Sequence, residues 1–349
     1  MSASVTASTP VVDVHAHVLF PEVMNLAGAA GPEMGMRDGV AFFRSGNYVL
    51  TNVRFTNAPF SDLGLRLAAM DRMGIDHQLL SPNPLTYFYA QPADVATAFC
   101  RAQNDCMAAA VRAHPGRFSG LIQLPVQDMQ AAVAELERCV NELGLVGVYI
   151  GTRFGDMGIA DRRLDAMWRT CERLDVPVVV HPATLDAEAP ADAPPASAGP
   201  ASSRQFDYDI VLGFATDETA AVGQLLFGGV LDRHPGLRVH VPHGGGTAPY
   251  LKGRMRMALE RRPWGRGLLA RGFEASWAQL SFDCLVGTPE AMKFIIDSEG
   301  ADRVMLGTNF AGWDEDDGVI QRVRSLDVAP EARDAVAGLT AIKYFKLRL

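Results

Sequence analysis

The 349-residue sequence has no uninterrupted apolar run reaching the roughly 18 residues of a membrane span. It also has no excess of basic charge, since 32 Lys and Arg stand against 40 Asp and Glu for a formal net charge of −8. That balance argues against nucleic acid and anionic membranes as partners, because both select basic patches. The five cysteines (Cys100, Cys106, Cys139, Cys171 and Cys284) are odd in number, scattered, and contain no Cys-x-x-Cys pair. Reduced thiols in a cytoplasmic protein are the expectation. No Gly-x-Gly-x-x-Gly follows any apolar run, so an open, doubly wound sheet, the second architecture compatible with the chain, has little support. Met1-Ser2-Ala3-Ser4-Val5-Thr6 lacks the charged and apolar regions of a signal peptide, and residues 1–10 read as a frayed leader.

What is present is a regular alternation. Short apolar runs occur at Val11–Phe20, His77–Ser81, Phe118–Leu124, Val146–Ile150, Pro177–Val180, Arg238–Val241, Leu280–Cys284 and Arg303–Leu306. Between them lie amphipathic stretches such as Asp94–Val111, Met129–Leu143, Arg162–Leu174, Ala220–Leu231 and Pro289–Ile296. Alternating βα units imply a parallel sheet, and eight of them imply closure into a (β/α)8 barrel, a single domain over residues 11–349. Two insertions interrupt it. Residues 19–62, rich in Gly, Asn, Pro and Phe, are expected to form a lid containing a short hairpin within Asn47–Phe55. The Pro/Ala/Ser-rich stretch at about 186–205 cannot pack a core and should be a mobile loop on the active-site rim. A basic, apolar helix over Ala341–Leu347 should pack on the barrel wall.

The candidate chemistry sits at strand ends. His15 and His17 are two apart on a strand, so they share a face, and paired neutral imidazoles suit a divalent transition metal. His181 ends the run Val178-Val179-Val180, at the edge where barrel active sites are built. His243 is followed by Gly244-Gly245-Gly246, which allows close backbone approach to a ligand and leaves donors free. Four imidazoles therefore converge on one rim. His114 and His234 precede Pro-Gly at helix ends and read as structural, as do His77 and His240.

These residues carry a family resemblance that covers nearly the whole chain. Val14-His15-Ala16-His17, His114-Pro115-Gly116-Arg117-Phe118, Leu124-Pro125, Gly147-Val148-Tyr149-Ile150-Gly151-Thr152, Val180-His181-Pro182, His243-Gly244-Gly245-Gly246 and Leu306-Gly307-Thr308 together resemble the amidohydrolase superfamily. Within it they are most similar to the branch of 2-amino-3-carboxymuconate 6-semialdehyde decarboxylase. The resemblance implies one divalent metal, zinc in the first place with manganese as the alternative, held by His15, His17 and His181. It implies His243 as general acid/base, and Arg54 and Arg254 as binders of a substrate carboxylate. Arg254 would reach into a neighbouring subunit, hence a homodimer. The implied reaction is non-oxidative decarboxylation of a small carboxylated muconate semialdehyde or aromatic acid. Hydrolase or hydratase chemistry and a metal-free binding pseudoenzyme are the alternatives.

One position breaks the pattern. Where the family has Gly-Thr-Asp followed by an aromatic residue and proline, this chain has Gly307-Thr308-Asn309-Phe310-Ala311. An amide is neutral and cannot act as a base, but its carbonyl oxygen can still ligate. Asn309 is thus a candidate metal ligand and catalytic-site residue, either native to this branch or an introduced change. Acid from the nearby run Asp314-Glu315-Asp316-Asp317 is the weaker option, since such runs usually open a solvated helix.

Overall fold

The computed structural model describes residues 9–53, 55–184, 187, 207–310, 312 and 315–349. Nearly all of the expected leader, Arg54, and almost all of the Pro/Ala-rich insertion lie outside those residues. Thirteen strands follow in chain order: β1 (Val12–Val18), β2 (Glu33–Arg37), β3 (Val40–Ser45), β4 (Tyr48–Thr51), β5 (His77–Pro82), β6 (Phe118–Gln123), β7 (Gly147–Ile150), β8 (Arg153–Phe154), β9 (Met157–Gly158), β10 (Val178–Val180), β11 (Val239–Val241), β12 (Leu280–Asp283) and β13 (Val304–Met305).

Eight of them form one parallel sheet in the order β1-β5-β6-β7-β10-β11-β12-β13. The two edges meet: Val14 N–H donates to Leu306 O, His17 N–H to Phe310 O, and Phe310 N–H to His15 O, each at 3.0 Å. The sheet is therefore a closed (β/α)8 barrel, as the βα alternation predicts. All seven residues of β1 are buried, as a strand walled by helices outside and packed side chains inside requires.

Helix boundaries follow local chemistry. Asp62 caps the helix Leu63–Met73 by accepting from Leu65 N–H, and Gly74 ends it in the left-handed region. The single helix expected over Ala220–Leu231 is instead Gly213–Phe227 followed by a short turn Val230–Arg233. The break falls at Gly228-Gly229. A Cβ at Gly228 would lie 2.4 Å from that of Ala160, so the chain must be bare there. By length and composition the stretch Tyr208–Phe227 could cross a membrane. It packs here as a barrel helix, with Ala221, Val222, Leu225 and Leu226 buried.

The first insertion holds more order than a single hairpin. β2, β3 and β4 form a three-stranded antiparallel sheet, in which Tyr48–Thr51 pairs backwards with Val40–Ser45 rather than with the residues after it. Buried Phe43 packs edge-on against Phe55, which tilts onto Phe60, and this cluster fastens the sheet to the barrel rim. The C-terminal helix is also longer than expected, with a π-helical turn over Ala335–Leu339 leading into Thr340–Phe345.

Candidate active site

Strand alternation places Asp13, His15 and His17 on the inner face of β1. The register sets Ser81 of β5 beside His17, and the two side chains meet at 3.0 Å through His17 Nδ1. Ser81 donates its own proton to Ala16 O, so it accepts from the imidazole. His15 Nδ1–H donates to Asp283 Oδ2 at 2.9 Å, from the last residue of β12. His181, just past β10, donates from Nδ1 to Pro182 O at 2.6 Å. His243 Nδ1 lies 2.7 Å from Glu218 Oε1. All four rings thus have Nδ1 engaged, which assigns their protons there and leaves Nε2 as the acceptor nitrogen.

The rings gather closely. Centroid separations are 5.1 Å for His15–His17, 5.2 Å for His15–His181, 4.9 Å for His17–His181, 4.8 Å for His15–His243 and 5.1 Å for His181–His243. Among the described residues, ligand atoms of His15, His181 and His243 all lie within 4.8 Å of one another. His17 stands outside that tightest set, lining the same cavity as Asn309. Burial, then the neighbouring imidazoles, hold His17 and His181 well below the ordinary histidine range, so both are neutral, the form that ligates metal. His181 Nε2 is buried with no hydrogen-bond partner among the described residues, a leftover acceptor that a cation would satisfy. The donor set fits a divalent ion.

Several supporting residues were not singled out in the sequence. Burial raises Asp283, but the hydrogen bond from His15 and the surrounding imidazoles outweigh it and leave the carboxyl at about 2. It is a fixed negative charge behind His15, the carboxylate–imidazole arrangement that orients metal ligands. Gly307 makes room for this pair, since a Cβ there would fall 2.8 Å from Asp283 Oδ2 and 2.9 Å from His15 Cβ. Beneath them Asp13 accepts from His15 N–H, Gln78, and both the backbone and hydroxyl of Thr308. Burial still lifts its pKa to about 6. Fully buried Arg66 bonds Gln78, Pro59 O and His17 O and stacks its guanidinium 4.5 Å above Phe310. Glu218 is equally buried, and burial pushes it up to about 7 against the pull of His243.

A cavity of about 210 Å³ opens onto His17, His181, His243 and Asn309. Its opposite wall is apolar and comes largely from the first insertion (Leu50, Val53, Phe55) and from Ile210 and Phe214. Arg54 lies outside the described residues, but both of its chain neighbours line this wall. Asn309 is 4% exposed with φ 50°, a left-handed conformation that Asn and Asp tolerate. Gly312 lies directly over its side chain. Arg254 is not in this cavity. It is exposed on the helix Ala248–Arg261, with Tyr250 and Met257 four and three residues away. Of the other histidines, His77 is held by Gly116 O and Ser119, and His240 meets Ser281 through Nδ1 while its Nε2 has no hydrogen-bond partner among the described residues. Asp316, in the acidic run, pairs with Arg322 and lines, with Glu315, a second cavity beside His243.

The amidohydrolase family model matches residues 12–347. The chain belongs to that family. A 2-amino-3-carboxymuconate-6-semialdehyde decarboxylase of Dictyostelium discoideum is 30% identical over 251 residues, covering 71% of this chain and 66% of that protein. A 2-keto-4-carboxy-3-hexenedioate hydratase of Sphingobium sp. is 31% identical over 200 residues, covering 55% of this chain and 54% of that protein. The chain thus covers less than two thirds of the length of these curated relatives. A solved 5-carboxyvanillate decarboxylase of Novosphingobium aromaticivorans, with manganese and 4-hydroxy-3-methoxy-5-nitrobenzoic acid, superposes with a TM-score of 0.78 at 20% identity, covering 97% of each chain. As an amidohydrolase, this chain keeps its imidazoles on the expected strand ends and places an amide, Asn309, against His17.

Proposed function

We propose that the chain is a metal-dependent, non-oxidative decarboxylase, a carbon–carbon lyase acting on a small carboxylated aromatic acid or muconate semialdehyde. The observation that carries this reading is the convergence of four imidazoles, three buried and His243 half-buried, each oriented through Nδ1, with His17, His181 and His243 opening onto an apolar cavity. The decarboxylases among its relatives give the reaction class. His15, His17 and His181, with the Asn309 carbonyl oxygen, would hold the ion, and a divalent cation there would polarise a bound carboxylate and neighbouring oxygen. Nitrogen-rich donors favour zinc; the manganese in the carboxyvanillate decarboxylase keeps that ion as the alternative.

The chain's own groups account for the proton. Loss of CO2 leaves the C–C bonding pair on carbon, and that carbon must gain a proton. His243 Nε2 faces the cavity and can deliver it, with Glu218 behind Nδ1 to stabilise the charged ring. The apolar wall excludes water and favours the neutral CO2 over the carboxylate that precedes it. We assign Arg54 and Arg254 to the substrate carboxylate, Arg254 from a second subunit, which makes the enzyme a homodimer. The five free cysteines support a reducing, cytoplasmic setting. The hydratase relative favours one rival, addition of water to a carboxylated alkene conjugated to a ketone. A screen of carboxylated muconates and aromatic acids with metal-loaded protein decides between them: CO2 evolution is expected, and hydrated product without CO2 would overturn the assignment.

A further inference from the structure

The triple glycine has a steric task beyond freeing backbone donors. Gly246 has φ 61°, and a Cβ on it would lie 2.1 Å from Ala215 O and 2.8 Å from Thr219 Oγ1. The turn therefore rests directly on the helix Gly213–Phe227. Two hydrogen bonds fix the contact: Thr247 N–H donates to Thr219 Oγ1 at 2.9 Å, and the two threonine hydroxyls meet at 2.9 Å. One residue before Thr219 stands Glu218, wholly buried, with Oε1 on His243 and Oε2 without a hydrogen-bond partner among the described residues. His243 itself is held at φ 47°, a strained conformation for a non-glycine residue. A buried carboxylate with one oxygen unused is costly to keep.

We propose that Glu218 is the positioning residue of the proton carrier: it pins one His243 proton on Nδ1 and so leaves Nε2 to take up a second proton from solvent and, as the imidazolium, deliver it to the carbon that loses CO2. This rests on the decarboxylase reading for its kinetic consequence but not for the tautomer it sets. The Thr219–Thr247 clamp and the bare Gly246 keep acceptor and imidazole in register. Without the carboxylate, the Nε2–H tautomer takes over and the nitrogen facing the cavity can no longer accept.

The test uses full-length, zinc-loaded protein labelled with 15N-histidine, the His243 signals being assigned by their loss in His243→Asn. Long-range 1H–15N correlation should show His243 protonated on Nδ1 in the wild type and on Nε2 in Glu218→Leu. With an acid that the wild type decarboxylates, Glu218→Leu should lose about 10²-fold in kcat with KM and zinc content within twofold. Glu218→Gln, which keeps shape and an acceptor oxygen, should hold the Nδ1–H tautomer and recover about tenfold of that loss. It also carries the test should the leucine variant fail to fold. An Nε2–H tautomer in the wild type, unchanged kcat in Glu218→Leu, or loss of zinc from a folded variant would each overturn the proposal. If no acid releases CO2, the decarboxylase reading fails while the tautomer measurement still decides the role of Glu218.

Discussion

Replacing Gly246 by alanine should damage the enzyme more than any other left-handed glycine, and the structure sets the scale. A left-handed backbone costs an alanine about 1–2 kcal/mol. The added methyl must also retreat by about 0.9 Å from Ala215 O to reach the 3.0 Å below which real Cβ contacts essentially do not occur. Forced repacking of that kind costs about 1–3 kcal/mol more. Gly74 supplies the internal control, because it has φ 76° with nothing within 4 Å of its Cβ position. Gly74→Ala should therefore show the backbone term alone. In thermal unfolding followed by circular dichroism, Gly246→Ala should lower the midpoint by roughly 3–7 °C and Gly74→Ala by roughly half as much or less. Activity should separate the two further. The retreat moves the turn that carries His243, and a displacement near 1 Å can cost about 10²-fold in turnover, whereas Gly74 lies at a helix end away from the site. Equal midpoints and equal turnover in the two variants would refute the claim that the turn rests on the helix.

Other consequences can be checked independently. His181→Ala and His15→Ala should each lose the bound ion by elemental analysis, and full retention in both would remove these residues from the ligand set. His243→Asn should keep the ion yet lower turnover by about 10²-fold or more; metal loss would make His243 a ligand instead. Asn309→Asp adds a charge without adding volume under Gly312, so metal affinity should rise about tenfold or more while the metal-free protein loses stability through a buried carboxylate. Turnover should fall if the shell is tuned to the amide, and a tenfold gain would show that it is not. Mixing Arg254→Ala with His243→Asn chains should restore activity in mixed dimers, since one intact site forms per pair; a fully active monomer by light scattering would contradict the shared site.

The barrel was legible because each β run is short, apolar and followed by a helix-length polar–apolar stretch, and strand periodicity alone put His15 and His17 on one face. Glu218 was harder to find. It lies in Thr216-Asp217-Glu218-Thr219, which reads as a polar helix surface. Its signal was positional: it stands four and seven residues before Val222 and Leu225, on the buried stripe of the same helix. Asp283 carried a similar hint as a carboxylate ending an otherwise apolar strand. The three-stranded sheet of the first insertion escaped because β2 is interrupted by Gly35 and half exposed, so alternation there is weak. Its register is set by cross-strand pairs such as Met34 with Phe43, a long-range match that no local pattern announces.

That sheet has a consequence for how such an enzyme can diverge. The imidazoles hang from barrel strands whose positions are fixed by closure of the whole cylinder, while Leu50, Val53 and Phe55 belong to an appendage spliced between β1 and β5. Substitutions in the appendage reshape what the cavity admits without disturbing the groups that move the proton. The aromatic cluster Phe43, Phe55 and Phe60 belongs to the appendage and meets the barrel side through Leu19 and Leu85, with Ser45 Oγ donating to Leu85 O. Exchanging residues 33–53 between relatives should transfer substrate preference while leaving metal content and the His243 tautomer where they were.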